Sequence, residues 1–208
     1  KLLRNMHVLV KDNLIETVSD EPLAVIQTTN VTMIDGGGRT LMPGLIDAHW
    51  HSLMSSMPLQ TLLASDISYM SLVGAKANEA ALMRGFTSVR DIGGNVFSLK
   101  KATDEGLING PRIYPSGATI SQTSGHADFR APLEVPANNG APLDYLQREG
   151  MTIIADGVPA VMQRSREILR KGASQLKVMA GGGVSSDYDP LDSTQYTADE
   201  MRALVEVA

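Results

Sequence analysis

A chain of 208 residues, 43% hydrophobic and 20% charged, is long enough to bury a core, as one domain or as one large and one small. A net charge of -5 with no Lys/Arg cluster argues against a nucleic-acid partner, and the absence of cysteine excludes disulfides and thiolate metal ligands. No apolar run approaches the ~20 residues that span a bilayer, so no membrane partner is expected, and the compartment, cytoplasmic or exported, stays open.

In chain order, residues 1–42 form a small β-module. His7-Val8-Leu9-Val10 and Leu14-Ile15-Glu16-Thr17-Val18 flank the polar turn Lys11-Asp12-Asn13, and Val31 to Asp35 is a third predicted strand, ended by Gly36-Gly37-Gly38. His7 falls within this module and is expected at its surface or in its sandwich.

Over residues 43–208 short apolar strands alternate with helical stretches, the pattern of βα units on a parallel sheet. The first strand is Leu45 to His49. A helix is predicted over Ser65 to Arg84, with Ile67, Met70, Val73, Ala77, Ala80 and Ala81 on its apolar face and Gly85 as its stop. The second strand, Thr87 to Asp91, is closed by Gly93-Gly94 and followed by a helical stretch from Val96 to Glu105. The third, Arg112 to Ser116, leads into about 35 residues rich in Gly, Pro, Ser and Asn, a length that suggests a functional loop. Asp156 is placed to cap a helix running to Lys171, with Gly172 suited to its left-handed end. The fourth strand is Gln175 to Met179, followed by Gly181-Gly182-Gly183, and the capping box Thr197-Ala198-Asp199-Glu200 opens a last helix. Four βα units make half of an eight-unit barrel.

Active sites of such architectures form at the C-terminal ends of the strands. There His49 and His51 stand one residue apart, so strand alternation points both imidazoles one way and Trp50 the other, and two such rings can grip one metal ion. Pairing with backbone carbonyls or water is the bland alternative for the histidines taken alone. Asp91, His126 in the long loop and Lys177 fall at or just beyond other strand ends. Lys177 sits in the apolar run Leu176, Val178, Met179, where desolvation and repulsion both oppose an ammonium beside a cation. Neutralisation, a carboxylate partner or covalent conversion to an anion relieves this, and so does snorkelling of the head group to a partner.

Other residues take plainer roles. Asp47 is expected to point away from the histidines and bond neighbouring backbone, and Arg90-Asp91 to pair with each other, beneath the site or as a structural ion pair. The run Gly181-Gly182-Gly183 is expected to allow close backbone approach near the site rather than to cradle phosphate. Asp187, Tyr188, Asp189 and Tyr196 lie in the loop after the fourth strand and are assigned to solvent, with substrate contact as the alternative, and Trp50, Phe86 and most methionines to the core.

Gly44-Leu45-Ile46-Asp47-Ala48-His49-Trp50-His51, Thr87-Ser88-Val89-Arg90-Asp91-Ile92-Gly93-Gly94, Ser124-Gly125-His126-Ala127-Asp128 and Gln175-Leu176-Lys177-Val178-Met179-Ala180-Gly181-Gly182-Gly183 together resemble the amidohydrolase superfamily. The likeness is strongest to its imidazolonepropionase-like branch, with Xaa-Pro dipeptidases and zinc-dependent arginine carboxypeptidases, and it extends over essentially the whole chain. It implies a TIM-like (β/α)8 barrel with a small β-sandwich built from both termini, and a divalent-metal site of one or two ions, usually zinc. His49 and His51 resemble ligands of the more buried metal, and Lys177 resembles the lysine that becomes a carbamate bridging two metals. His126 is similar to a loop histidine that faces the substrate, at its terminal carboxylate.

The implied reaction is metal-assisted hydrolysis of an amide bond in a dipeptide or N-acyl amino acid. The family also needs histidines after strands five and six and a general-base aspartate at the end of strand eight. This chain has four histidines in all, His7, His49, His51 and His126, so the catalytic base is expected beyond residue 208. The resemblance therefore describes the N-terminal half of a longer hydrolase. An open half-barrel exposes sheet edges and apolar faces, so association with the complementary half or with further copies of the chain is expected. Cyclic-amide hydrolysis, as in imidazolonepropionase, is the alternative within enzymes; a non-catalytic half-barrel serving as a metal-binding or assembly module is the alternative outside them.

Overall fold

Two units divide the chain, Lys1–Met42 and Pro43–Ala208, in a computed structural model that describes residues 2–24, 30–134 and 142–208. Part of the expected long loop, residues 135–141, therefore lies outside the described residues.

In the first unit, β1 (His7–Lys11) and β2 (Leu14–Ser19) form an antiparallel hairpin. The turn between them places Asp12 at φ +55°, a left-handed conformation that a short polar side chain tolerates. His7 is exposed, as a surface histidine should be. The third strand expected at Val31 to Asp35 does not form. Met33 and Ile34 are 81% and 86% exposed, and among the described residues no neighbouring strand supplies the ladder bonds that would hold this run extended.

The second unit is mixed α/β with parallel sheets. Its first sheet has the order β3 (Leu45–Trp50), β4 (Phe86–Asp91), β5 (Arg112–Pro115), all parallel. Val89 pairs with Ile113 in register and both are fully out of solvent, so alternate residues of β4 and β5 face a helical layer. That layer comprises α1 (Leu59–Leu63), α2 (Ile67–Met83) and α3 (Phe97–Asp104). Asp66 starts α2 by accepting from Tyr69 N–H at 2.9 Å. The face of α2 that is buried runs through Met70, Gly74, Asn78 and Ala81, a 3.6-residue period. Asn78 was not an expected core position; its side chain is buried because Oδ1 accepts from Trp50 Nε1 at 3.0 Å, which locks the end of β3 onto the helix. Leu53, Leu62, Met70, Val96, Leu99, Leu146 and Met151 complete this core with the two strand residues, each burial stabilising by about 1.5–3 kcal/mol.

A second pair of strands, β6 (Thr119–Ser121) and β7 (Thr152–Ile154), was not expected from the sequence. With α4 (Tyr145–Arg148), α5 (Val158–Arg170) and α6 (Ala198–Val207) it surrounds Ile120, Val161, Ile168, Tyr196 and Leu204. The predicted fourth strand, Gln175 to Met179, is reduced to one bridge in which Ile120 N–H donates to Lys177 O and Met179 N–H donates to Ile120 O, both at 2.9 Å. The neighbouring chain explains this. Pro115 and the turn at Gly117, φ +70°, break the line from β5 into β6, so only a short ladder edge is on offer.

Helix ends show one expectation met and one replaced. Gly172 adopts φ +96° after α5, as its left-handed position requires. Asp156, expected to cap α5, instead accepts from Thr123 N–H and Oγ1 at 2.9 and 2.6 Å, and Gly157 takes the cap position without a side-chain bond. The carboxylate of Glu200 fills that gap: beyond closing the Thr197 capping box, it accepts from Gly157 N–H at 2.7 Å and ties α6 to the start of α5. Glu200→Ala should accordingly cost about 1–2 kcal/mol, read as a lowered urea midpoint at unchanged slope. No helix among the described residues is long and apolar enough to cross a membrane.

Candidate functional site

The end of β3 delivers the histidine pair. The His49 and His51 rings lie with centroids 5.4 Å apart and planes at 70°. His49 is exposed and His51 half-buried. Asp47 lies two residues before His49, on the same side of the strand rather than pointing away, and its Oδ1 accepts from His49 N–H at 2.9 Å. The backbone bond expected of Asp47 is present; its direction is corrected.

Burial pushes the His51 imidazole down to about 4, with His49 and Lys177 adding positive charge and Asp47 opposing them weakly. The ring is therefore neutral at ordinary pH, the form that binds a metal. Its Nδ1 is buried without a hydrogen-bond partner among the described residues. A Cβ on Gly93 would stand 3.3 Å from that Nδ1 and 2.8 Å from Thr119 Oγ1, so glycine at 93 keeps room beneath the ring.

The turn carrying Gly93 is fixed by Asp91. This fully buried carboxylate accepts from Ser52 N–H at 2.7 Å and from Gly93 N–H at 3.3 Å, which joins the residue after His51 to the turn below it. Burial pushes Asp91 up to about 6, against the two backbone donors that favour its anion. Arg90 and Asp91 do not pair. They occupy adjacent strand positions and face opposite sides, and Arg90 Nε donates to Ala48 O at 2.8 Å instead.

Lys177 reaches the same space, close enough for its charge to act on His51. Its own proton affinity is lowered, first by burial and then by Arg90. Two imidazoles at the end of β3 and a lysine from the segment bridged to β6 thus stand within electrostatic reach of one another, and among the described residues no cluster of three His, Asp or Glu side chains accompanies them. The neutral His51 ring suits a divalent ion. An ammonium at Lys177 does not, whereas an anionic derivative of that lysine would.

His126 belongs to a different cluster. Its Nδ1 lies 2.9 Å from Asp189 Oδ2 and 2.7 Å from Ser186 Oγ, its Nε2 lies 3.3 Å from Ser185 Oγ, and its backbone N–H donates to Gln195 Oε1 at 3.1 Å. The ring rests on Gly183, where a Cβ would come within 2.0 Å of His126 Cε1. The glycine run does allow close backbone approach, here and at Gly182, where a Cβ would meet Pro190 O at 2.0 Å, but beside His126 rather than at the metal site where it was expected.

Residues 40–208 match the family model of the Amidohydrolase family. The chain belongs to the amidohydrolase family. Ochratoxinase of Aspergillus niger is 35% identical over 216 residues, 99% of this chain and 44% of that protein. The crystal structure of A. niger ochratoxinase matches with a TM-score of 0.75 at 32% identity, covering 99% of this chain and 49% of that one. A prolidase complexed with N-methylphosphonate-L-proline matches with a TM-score of 0.83 at 40% identity, covering 98% of this chain and 48% of that one. The chain spans about half the length of these relatives.

Within this amidohydrolase chain, Asp189 and Tyr196 depart from the solvated loop to which the sequence assigned them. The side chain of Asp189 is wholly buried and bonded to His126. Nothing in its local sequence signals this, because its partner lies 63 positions away. Tyr196 is likewise buried, with its hydroxyl donating to Ala155 O at 3.0 Å, while Asp187 and Tyr188 are exposed as expected.

Proposed function

We propose that this chain is the first half of a TIM-like barrel hydrolase that cleaves the amide bond of a dipeptide or an N-acyl amino acid with the help of one or two divalent ions, zinc foremost. The observation that carries this reading is the pairing of the His49 and His51 rings at the end of a parallel strand, within electrostatic reach of Lys177, in a member of the amidohydrolase family. The names ochratoxinase and prolidase among its relatives favour hydrolysis of a C–N bond.

His49 and His51 would hold the ion, and Lys177, converted to a carbamate, would add anionic oxygens opposite them. A divalent ion held there supplies Lewis acidity toward the amide carbonyl and makes water easier to deprotonate at neutral pH. Asp47 braces His49 through its backbone, and Asp91 braces the chain after His51, so neither imidazole need reorganise. His126, held in its own loop, meets the substrate's terminal carboxylate. The general base and the remaining ligands lie beyond residue 208, and the complementary half, or a further copy of the chain, covers the open sheet edges.

The test is a substrate panel with the metal-loaded full-length protein, scoring amine release from Xaa-Pro and other dipeptides and from N-acyl amino acids beside ring opening of cyclic amides. Turnover of the open-chain amides is expected to dominate by at least about tenfold, a difference of roughly 1.4 kcal/mol in transition-state binding. Turnover confined to cyclic amides would replace this function with the imidazolonepropionase-like one.

A further inference from the structure

The cluster around His126 contains more than the ring that the proposed function uses. The Asp189 side chain is wholly buried. Its Oδ2 accepts from Gly183 N–H at 2.8 Å and lies 2.9 Å from His126 Nδ1. Burial pushes the Asp189 carboxyl up, but hydrogen bonds from Ser186, from Gly183 N–H and from His126 together outweigh it and hold the group below the usual carboxylate range. Asp189 is therefore an anion with no proton to give. A carboxylate can only accept, so the atom that faces it, Nδ1, must carry the ring proton.

That single constraint decides what His126 offers. With the Nδ1 proton committed inward, Nε2 is the ring atom turned toward the exposed Ser185 side of the cluster. The ring edge sits on the Gly183 backbone, and the His126 main chain is held in place by its backbone N–H donating to Gln195 Oε1. The anchors of the ring come from the segment after Lys177, so the loop bearing His126 and the glycine-rich run are clamped to one another through Asp189.

We propose that Asp189 is a positioning residue for His126, fixing the Nδ1–H tautomer so that Nε2 alone meets the substrate. This rests on the proposed role of His126 at the substrate carboxylate: with Nδ1–H held by Asp189, the ring meets that carboxylate through an Nε2–H as imidazolium, one anion at each nitrogen. In metal-ligating histidines, where a carboxylate likewise holds the second ring nitrogen, loss of that partner costs about 10–100-fold, and an effect of the same order is expected for the orienting bond here.

The experiment uses the full-length protein with 15N-labelled histidine, observed at a pH well above the ordinary histidine range, with the His126 signals assigned by their loss in His126→Gln. Wild type should show a pyrrole-type Nδ1 and a pyridine-type Nε2. Asp189→Ala should shift His126 toward the Nε2–H form and raise KM for the substrate about 10–100-fold with a smaller change in kcat. Asp189→Asn, which keeps an acceptor oxygen toward Nδ1 and Gly183, should preserve the tautomer and restore most of the KM. A wild-type His126 protonated at Nε2, or an unchanged tautomer in Asp189→Ala, overturns the proposal. Should Asp189→Ala fail to fold, the wild-type spectrum and the Asn variant still decide it. The spectra need no substrate, so a failed substrate panel beside the expected tautomers would reject the assigned function and leave the positioning role standing.

Discussion

Lys177→Ala in the full-length protein is expected to lower kcat/KM for amide hydrolysis by about 10³-fold and to reduce bound metal. A polarising ion supplies several kcal/mol of transition-state stabilisation, and ~4 kcal/mol is about three decades at 1.36 kcal/mol each. The electrostatics of the site give the reason that this lysine should matter so much. Within reach of the His51 ring stand His49 and Lys177, with Arg90 close to Lys177 and Asp47 the carboxylate acting on the ring. Left as an ammonium, Lys177 adds another positive charge where a cation must sit.

Lys177→Arg sharpens the test because a guanidinium keeps its charge at any accessible pH and cannot become a carbamate. It should be as damaging as alanine. Metal per chain by elemental analysis and activity on the same samples decide the matter. Normal metal and activity in Lys177→Ala would reject a ligand role, and full activity in Lys177→Arg would mean that the site uses a cation there.

How far the sequence foretold this site depends on the range over which each signal acts. Strand alternation acts over two residues, so the shared direction of His49 and His51 could be read directly, and the apolar run around Leu176 marked Lys177 as unusual before any neighbour was known. Caps act over three residues, and the Thr197 to Glu200 box forms as written. The second bond of Glu200, to Gly157 N–H, spans 43 positions and had no local sign. Asp156 shows the same limit from the other side: a good local cap for α5, it is drawn instead to Thr123, 33 positions earlier. The failure at Gln175 to Met179 is also one of context, because a strand-like pattern needs a partner edge, and Pro115 and Gly117 remove most of it. Asp189 combines these difficulties. Its polarity argued for solvent, while burial was decided by the Gly183 seat and a histidine in another loop.

Asp91 yields the other large expected effect, and it concerns pH. Its carboxyl stands at about 6 in the folded chain against an ordinary 3.8. Between those values the folded protein holds a proton that the unfolded chain has released, so raising the pH favours unfolding. The contribution of Asp91 to stability is complete below pH ~4 and lost above pH ~6, with a size on the order of 3 kcal/mol. Asp91→Asn removes that slope. The amide has one acceptor oxygen for two backbone donors, Ser52 and Gly93, so it forfeits one bond at about 1–3 kcal/mol. It also spares the protein a buried anion. The two effects nearly cancel at pH 8 and do not cancel at pH 4, where the wild-type group is already neutral and its hydroxyl oxygen can still accept. Urea denaturation of the metal-free full-length protein should therefore show wild type and Asp91→Asn close together at pH 8 and the variant weaker by about 1–3 kcal/mol at pH 4. A difference that stays constant across that range would mean that Asp91 does not titrate there, and that its two hydrogen bonds outweigh its burial.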